Sequence, residues 1–164
     1  MFFLPSENVK ICLNGHIIDY ETDNGESFCR DCGAILITSC PSCEASLPKW
    51  TYYIEYDYNN EPFRCYNTYI RPNFCPFCSK PYPWTAAALE ATCSLLEEDT
   101  QLSDLEIERL KSVLPDILVE TPKTNLACVR IKNTLSSCSR FVADGLKDFL
   151  KDFACDVVLH KLGL

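Results

Sequence analysis

Four short segments, each holding a pair of candidate metal ligands around a tight turn, most strongly constrain what this chain can fold into. Together they use seven of the twelve cysteines and one of the two histidines. The pairs are Cys12 with His16, Cys29 with Cys32, Cys40 with Cys43, and Cys75 with Cys78. A tetrahedral site takes four ligands, so these eight residues predict two sites.

The spacing and the expected compartment both favour zinc at these sites. A two-residue spacing beside Gly or Pro directs two sulfurs towards one point, as structural Zn²⁺ requires. Residues 1–5 are too short for the apolar part of a signal peptide and lack a basic start, and no apolar run reaches the length of a membrane span. We therefore expect a cytoplasmic protein with no membrane partner, in which paired cysteines bind zinc rather than form disulfides or hold an iron–sulfur cluster.

The sequence allows two ways of pairing the segments. Sequential pairing joins the first segment to the second and the third to the fourth, whereas a cross-brace joins the first to the third and the second to the fourth. Seven residues separate Cys32 from Cys40, enough for one short strand between two ribbons, so we prefer sequential pairing. His16 is counted as a ligand rather than a surface residue because it completes a site of four. No glutamate adjoins a histidine in a protease or deaminase pattern, so we expect two structural ions and no enzyme.

The composition changes near Trp84, which predicts two regions, 1–84 and 85–164. All eight candidate ligands precede this point, and helix-forming residues with apolar spacings of three and four follow it. Short strands are expected at residues 17–20 and 34–37. The predicted class is α+β: a small N-terminal double zinc ribbon with an inserted β-hairpin, followed by C-terminal α-helices.

The inserted hairpin is rich in aromatic residues. From Trp50 to Tyr58 the even positions are apolar or aromatic and most odd positions are polar, which indicates a half-buried strand. Asn59 and Asn60 suit a turn, and residues 63–70 would return as the partner strand. The aromatic face either packs against the helices or serves as a docking surface for a protein partner. Stacking on single-stranded nucleic acid is a third reading, but only three basic residues lie nearby.

The C-terminal region predicts several amphipathic helices. One begins at Thr85 and ends near residue 98, a second has Ser103 and Glu106 as a capping box, and a third begins near Pro122. The pattern from residue 125 to 161 is helical, with a break near residues 136–137. Its apolar stripe requires cover, either within the chain or through self-association or a partner protein. The stripe consists of Val142, Leu146, Phe149, Phe153 and Val157.

Other polar and thiol residues in these segments have simpler readings. Four aspartates recur at four-residue steps, at Asp144, Asp148, Asp152 and Asp156. With lysines nearby, this pattern predicts a solvated helix face with local ion pairs. The helical cysteines are expected to fill the core, since a free thiol behaves as a small apolar group. Cys65 lies in the hairpin and is not counted as a ligand.

The charge of the chain argues against binding to nucleic acid. The formal net charge is −8, and two zinc ions bound by seven thiolates and one imidazole bring it to about −11. Phosphate backbones are bound through Lys and Arg, and no basic stripe is present. We therefore expect a non-enzymatic zinc-binding adaptor or scaffold that binds a protein partner through its hairpin or C-terminal helix. The alternative is a nucleic-acid-binding zinc ribbon protein.

The order of these parts resembles an uncharacterised bacterial family, a domain of unknown function with double zinc ribbons and C-terminal helices. The matching motifs are Cys12-x-Asn14-Gly15-His16, Phe28-Cys29-x2-Cys32-Gly33-Ala34, Cys40-Pro41-x-Cys43, Phe74-Cys75-x2-Cys78-x-Lys80-Pro81-Tyr82-Pro83-Trp84-Thr85, Leu114-Pro115-Asp116 and Thr121-Pro122-Lys123-Thr124. Ser79 stands where a glycine is more usual, and the hairpin insert looks individual. The resemblance implies the fold and the zinc ligands, but it implies no mechanism.

Overall fold

The structure is a computed structural model that describes residues 6–18 and 23–164. The chain divides into two units, Met1–Trp84 and Thr85–Leu164. Strands lie in the first unit and helices in the second, which confirms the predicted α+β class. The strand predicted over residues 17–20 is present at its first two positions, and the other two lie outside the described residues.

Two small antiparallel sheets make up the strands of the first unit. One has the order β1-β5-β6, formed by Ser6–Glu7, Trp50–Tyr56 and Pro62–Tyr66. The other has the order β3-β2-β4, formed by Ile17–Ile18, Lys10–Cys12 and Leu36–Ile37. Only Asn8 and Val9 separate β1 from β2, so one N-terminal segment joins the hairpin to the strands around the first cysteine.

The predicted hairpin is confirmed, although its return strand is shorter than expected. β6 ends at Tyr66 rather than near residue 70, and Asn67 closes the ladder because its backbone and side-chain amides both donate to Thr51. Trp50 packs with Tyr66 and Tyr69 at ring distances of 5.8 and 5.5 Å, so the base of the hairpin has its own aromatic cluster. Towards the turn the side chains are exposed, as shown by the 63% exposure of Tyr56.

The second unit contains the predicted helices with different boundaries. The elements are α1 at Pro83–Glu97, α2 at Asp104–Lys111, a 3-10 turn at Leu114–Ile117, α3 at Thr124–Ser137, α4 at Arg140–Phe153 and α5 at Asp156–Leu162. The Ser103–Glu106 capping box is confirmed. α3 begins two residues after Pro122, because the Thr124 hydroxyl accepts a hydrogen bond from the Thr121 amide and holds the preceding turn.

The helical pattern expected over residues 125–161, with one break, forms three helices separated by two breaks. The first break, at Cys138 and Ser139, lies close to the predicted position. The second, at Ala154 and Cys155, was not anticipated; there the Cys155 amide donates to the Ile117 carbonyl at 2.9 Å. A tertiary hydrogen bond thus replaces the helical one at this point.

The chain itself covers most of the apolar stripe. Val142, Leu146 and Phe149 are buried, while Phe153 and Val157 are partly exposed. The break before α5 shifts the helical phase, so Val158 is the fully buried residue there. The shorter elements also contribute more buried residues than the sequence suggested, namely Ile107, Leu110, Val113, Leu114, Ile117 and Leu118. Leu105 of α2, by contrast, is 60% exposed.

Asp99 fixes the end of α1 to the start of α4, a role the sequence did not reveal. Its carboxylate accepts hydrogen bonds from the backbone amides of Gln101 and Leu102, and from the amide and hydroxyl of Ser139 at 2.8 and 2.6 Å. Ser139 in turn caps α4 by accepting from the Val142 amide. Burial alone would raise the pKa of Asp99, but these hydrogen bonds outweigh it and lower the pKa below its usual value.

The aspartates of α4 and the cysteines of the helices have the surroundings that the sequence predicted. The aspartates of α4 lie on an exposed face, where Lys147 pairs with Asp144 and Lys151 with Asp148, both at 3.8 Å. Cys128 is buried, and the other helical cysteines are partly exposed. These cysteines therefore fill space in and around the core.

Candidate metal centres

Three of the four ligand segments form the same type of backbone turn, and the first forms a shorter version of it. In the second, third and fourth segments, the carbonyl of the first cysteine accepts from the amide four residues later, at 2.9, 2.8 and 2.9 Å. The amide of the same cysteine donates to the carbonyl five residues later, at 2.8, 2.8 and 2.9 Å. Isolated bridges flank each of these turns, joining Phe28 to Ile35, Ser39 to Ser46 and Phe74 to Pro81. Each segment is therefore a very short hairpin that presents two sulfurs from its loop.

The first segment is one residue shorter, and this explains why it uses a histidine. Its turn bond runs from the Gly15 amide to the Cys12 carbonyl, over three residues instead of four. His16 follows the turn, at the place that Ala34 holds in the second segment. The imidazole, which is longer than a cysteine side chain, places its Nδ1 at 3.5 Å from the Cys29 sulfur from this position.

Each turn contains one residue in the left-handed backbone region. These residues are Gly15, Gly33, Glu44 and Ser79, with φ of 90°, 71°, 61° and 61°. Glycine adopts this conformation without strain, whereas a residue with a Cβ pays a steric cost. The serine noted at position 79 keeps the turn geometry, and Glu44 does the same in the third segment.

The ligand atoms form two groups with sequential pairing. Each residue offers one atom, and the four atoms of a group lie within 4.8 Å of one another. In the first group the Cys12 and Cys32 sulfurs are 3.7 Å apart, and the Cys29 sulfur is 3.5 Å from Nδ1 of His16. The second group contains sulfur pairs at 3.8 Å, between Cys40 and Cys78, and at 3.6 Å, between Cys43 and Cys75.

These distances suit a tetrahedral thiolate site. With Zn–S bonds of about 2.3 Å, the sulfurs of a regular tetrahedron lie about 3.8 Å apart. A disulfide would bring two sulfurs to about 2 Å, and all twelve cysteines are free thiols. The two groups, one with three thiols and an imidazole and the other with four thiols, could each hold a metal ion.

Burial follows a regular pattern in both groups. The first ligand of every segment is buried, while the second is exposed or partly exposed. Around the first group, Cys12 and Cys29 pack with Ile18, Ala34 and Leu36. One ligand of each pair is thus held in the interior, and the turn carries the other ligand at or near the surface.

Hydrogen bonds, burial and neighbouring thiols shift the pKa values of individual cysteines in both groups. The Ala34 amide, and then the Asn14 side chain, lower the pKa of Cys32 to about 6. Burial raises the pKa of Cys75, but the amides of Phe77 and Cys78 outweigh it and bring the pKa to about 6. The Ala45 amide lowers the pKa of Cys43, yet burial and the three neighbouring thiols raise it to about 12. Four thiolates this close can coexist only around a cation, which is what a divalent metal supplies.

Two aromatic residues that directly follow the fourth segment connect the surroundings of the two groups. Tyr82 and Trp84 stack with ring centroids 4.8 Å apart and planes 17° from parallel. The Trp84 indole donates to the Pro72 carbonyl at 2.9 Å, and Arg71, which lies over the Trp84 ring, donates to the Gly15 carbonyl at 2.7 Å. Spacing and periodicity assigned these residues no role, and the available signal was a Tyr-Pro-Trp run separated by three residues from the preceding cysteine pair.

The other candidate residues lie apart from both groups. Within residues 6–18 and 23–164, clusters of three or more candidate metal ligands occur at these two places alone. Cys65 lies on β6, opposite Tyr53 in the hairpin, and the helical cysteines lie in the second unit. Every helix among the described residues is too short or too polar to span a membrane.

Comparison with curated proteins and with solved structures found no match. The sequence does match a family described as an uncharacterized protein conserved in bacteria (DUF2321), over residues 6–162. The match includes both cysteine groups and nearly the whole helical unit. The chain therefore belongs to this bacterial family.

Proposed function

We propose that the protein binds two structural zinc ions and is not an enzyme. The observation that carries this proposal is that each group brings together four side chains with zinc-binding atoms at tetrahedral distances. Four protein ligands fill a tetrahedral zinc ion and leave no position for the water or substrate that catalytic zinc needs. When bound, zinc would contribute folding energy to a first unit whose strands are only two to seven residues long. Seven of the ligands are cysteines, which must stay reduced to bind zinc. We therefore propose a reducing compartment, the cytoplasm, as the location.

A chelation experiment tests the structural role. Adding a strong chelator to the full chain should unfold the first unit, because its sheets are too small to stand alone. The helical signal at 222 nm should remain largely intact, because the core of the second unit contains no candidate metal group. Chelation that removes the metal without changing the fluorescence of Trp50 and Trp84 would contradict a structural role.

We further propose that the hairpin is the surface through which the protein acts as an adaptor. β6 forms an outer edge of its sheet, with no strand beyond it among the residues described. Large apolar side chains near the turn are exposed: Tyr53, Ile54, Tyr56, Tyr58 and Phe63. A free edge provides backbone hydrogen bonds to an incoming strand, and exposed aromatic residues provide contact area.

The charges near the turn indicate what kind of segment fits there. Glu55, Asp57 and Glu61 are exposed, while the nearby Arg64 already pairs with Glu7. The surface is therefore acidic and aromatic, in a chain whose formal charge is −8. The partner proposed is a protein segment that is extended and basic, paired with β6. The same charge disfavours a phosphate backbone. The C-terminal stripe supports a docking role less well, because the chain buries most of it.

Peptide-binding measurements distinguish a basic protein segment from a nucleic acid as the partner. Extended peptides that alternate Lys or Arg with Val or Thr should bind the full chain, and charge-reversed peptides should not. The Tyr56→Ser, Phe63→Ser double variant should lose this binding. Phe141→Ser, which changes an exposed aromatic residue of the second unit, serves as the control and should keep it. Equal binding of both peptide sets, or sub-micromolar binding of single-stranded nucleic acid with steep salt dependence, would overturn the proposal.

A further inference from the structure

The hydroxyl of Tyr82 is a buried polar group that lacks a hydrogen bond. The residue is 1% exposed, and its oxygen has no hydrogen-bond partner within the described parts of the chain. Burying a hydroxyl without a partner costs free energy, so such groups are rare and call for a physical reason. Neighbouring aromatic donors in this unit are satisfied, since the partly exposed Tyr69 donates to the Pro48 carbonyl and the buried Trp84 to the Pro72 carbonyl.

The second metal centre supplies that reason. The backbone of the fourth segment brings Tyr82 beside this group, because the Tyr82 amide donates to the carbonyl of Asn73, two residues before Cys75, at 3.0 Å. The pKa of Tyr82 is raised by burial first, and then by the thiols of Cys75 and Cys40, both of which are buried ligands of this group. A neutral thiol is a weak acceptor, whereas a metal-bound thiolate carries negative charge and accepts hydrogen bonds well. A metal ion bound at this centre would thus give the Tyr82 hydroxyl the hydrogen-bond acceptor that it lacks.

We propose that Tyr82 is a positioning residue of the second metal centre, and that its hydroxyl donates a hydrogen bond to the thiolate of Cys75. Residues that hydrogen-bond to metal ligands orient them and tune the electron density at the donor atom. The stack on Trp84 holds the phenol ring in one orientation, with ring centroids 4.8 Å apart. This inference rests on the proposed function, because it requires a metal ion at the second centre.

The matched variants are Tyr82→Phe and Tyr69→Phe in the full chain. Each removes one hydroxyl from a tyrosine and keeps the ring, but the hydroxyl of Tyr69 already bonds to a backbone carbonyl. Co²⁺ and Zn²⁺ are the probes, titrated against a competing chelator. The two centres differ in donor set, one with four sulfurs and one with three, so the visible bands of Co²⁺ distinguish them.

Tyr82→Phe should weaken metal binding at the four-sulfur centre by about ten- to a hundredfold and leave the other centre unchanged. It should also move the sulfur-to-Co²⁺ charge-transfer band to lower energy, because a thiolate that loses a hydrogen bond gains electron density. A residue that only fills space would not move this band. Tyr69→Phe should leave both the affinity and the band unchanged.

Three results would overturn the inference. The first is an unchanged affinity and band in Tyr82→Phe, and the second is an equal effect of Tyr69→Phe. Either would leave the proposed function intact if the wild type still binds two ions. The third is a wild-type chain that binds no metal at the four-sulfur centre, and this result alone would remove the proposed function as well.

Discussion

Replacing Asp99 tests whether one buried carboxylate fixes the helical unit. Its two oxygens accept four hydrogen bonds, two from the turn after α1 and two from Ser139. The residue is 6% exposed, so water cannot readily replace these bonds. A hydrogen bond to a charged group contributes about 1.5–3 kcal/mol, and buried donors left without an acceptor add a penalty. Because bonds in one network are not additive, we expect Asp99→Ala to destabilise the unit by about 3 kcal/mol.

Asp99→Asn separates the two halves of this network. The oxygen that accepts from Gln101 and Leu102 is retained, while a donor replaces the oxygen that faces Ser139. We expect a loss of about 2 kcal/mol, measured by urea unfolding of the full chain followed by circular dichroism at 222 nm. Asp148→Ala is the control, since this exposed residue has only a surface ion pair, worth about 0–1 kcal/mol.

The effect of Asp99 should also depend on pH in a defined direction. The folded-state pKa is lowered, so the carboxylate contributes its stability above the unfolded pKa of about 3.9. That contribution is lost as the pH falls through the folded pKa. The difference in stability between wild type and Asp99→Asn should therefore be constant above about pH 5 and shrink below about pH 4. A loss under about 0.5 kcal/mol in Asp99→Ala, or a difference that grows on acidification, would refute the reasoning.

Four further substitutions test other features. A Cβ added at Gly145 would meet Cδ2 of Leu95 at 2.5 Å, so Gly145→Ala should gain about 1 kcal/mol of unfolding free energy in a Leu95→Ala background and clearly less with Leu95 present. Glu44→Gly and Ser79→Gly should each stabilise the zinc-loaded first unit by roughly 1 kcal/mol in thermal unfolding, because both residues have φ of 61°. His16→Ala should weaken one zinc ion in a chelator competition and spare the other; two ions held at wild-type affinity would show that His16 is not a ligand.

The metal groups were the most predictable part of the chain, because their geometry is local. Two ligands in one tight turn point to one place whatever the rest of the fold does, so spacing identified the seven cysteines of the two groups. His16 was added because the first group needed a fourth ligand, and the structure brings it together with the three cysteines of that group. The short separation between Cys32 and Cys40 favoured the sequential pairing observed. The Ser103–Glu106 capping box was equally predictable, since all its bonds lie within four residues.

Features that depend on distant contacts were missed. β1 has two residues, too few for an alternating pattern, and it exists because Ser6 and Glu7 pair with Thr51 and Trp50. The break before α5 depends on a hydrogen bond to Ile117, which no local pattern encodes. Asp99 and Tyr82 were likewise missed, because a carboxylate at a helix end and a tyrosine after a turn both look like surface residues until the fold buries them.

The metal content of the purified protein tests the central claim most directly. The chain should be purified without added metal, and its zinc and iron should be measured by elemental analysis alongside intact mass spectrometry under native conditions. We expect two zinc ions per chain. Chelation should remove both ions and unfold the first unit at the same time. A single zinc ion, no metal, or iron with visible absorbance would contradict it.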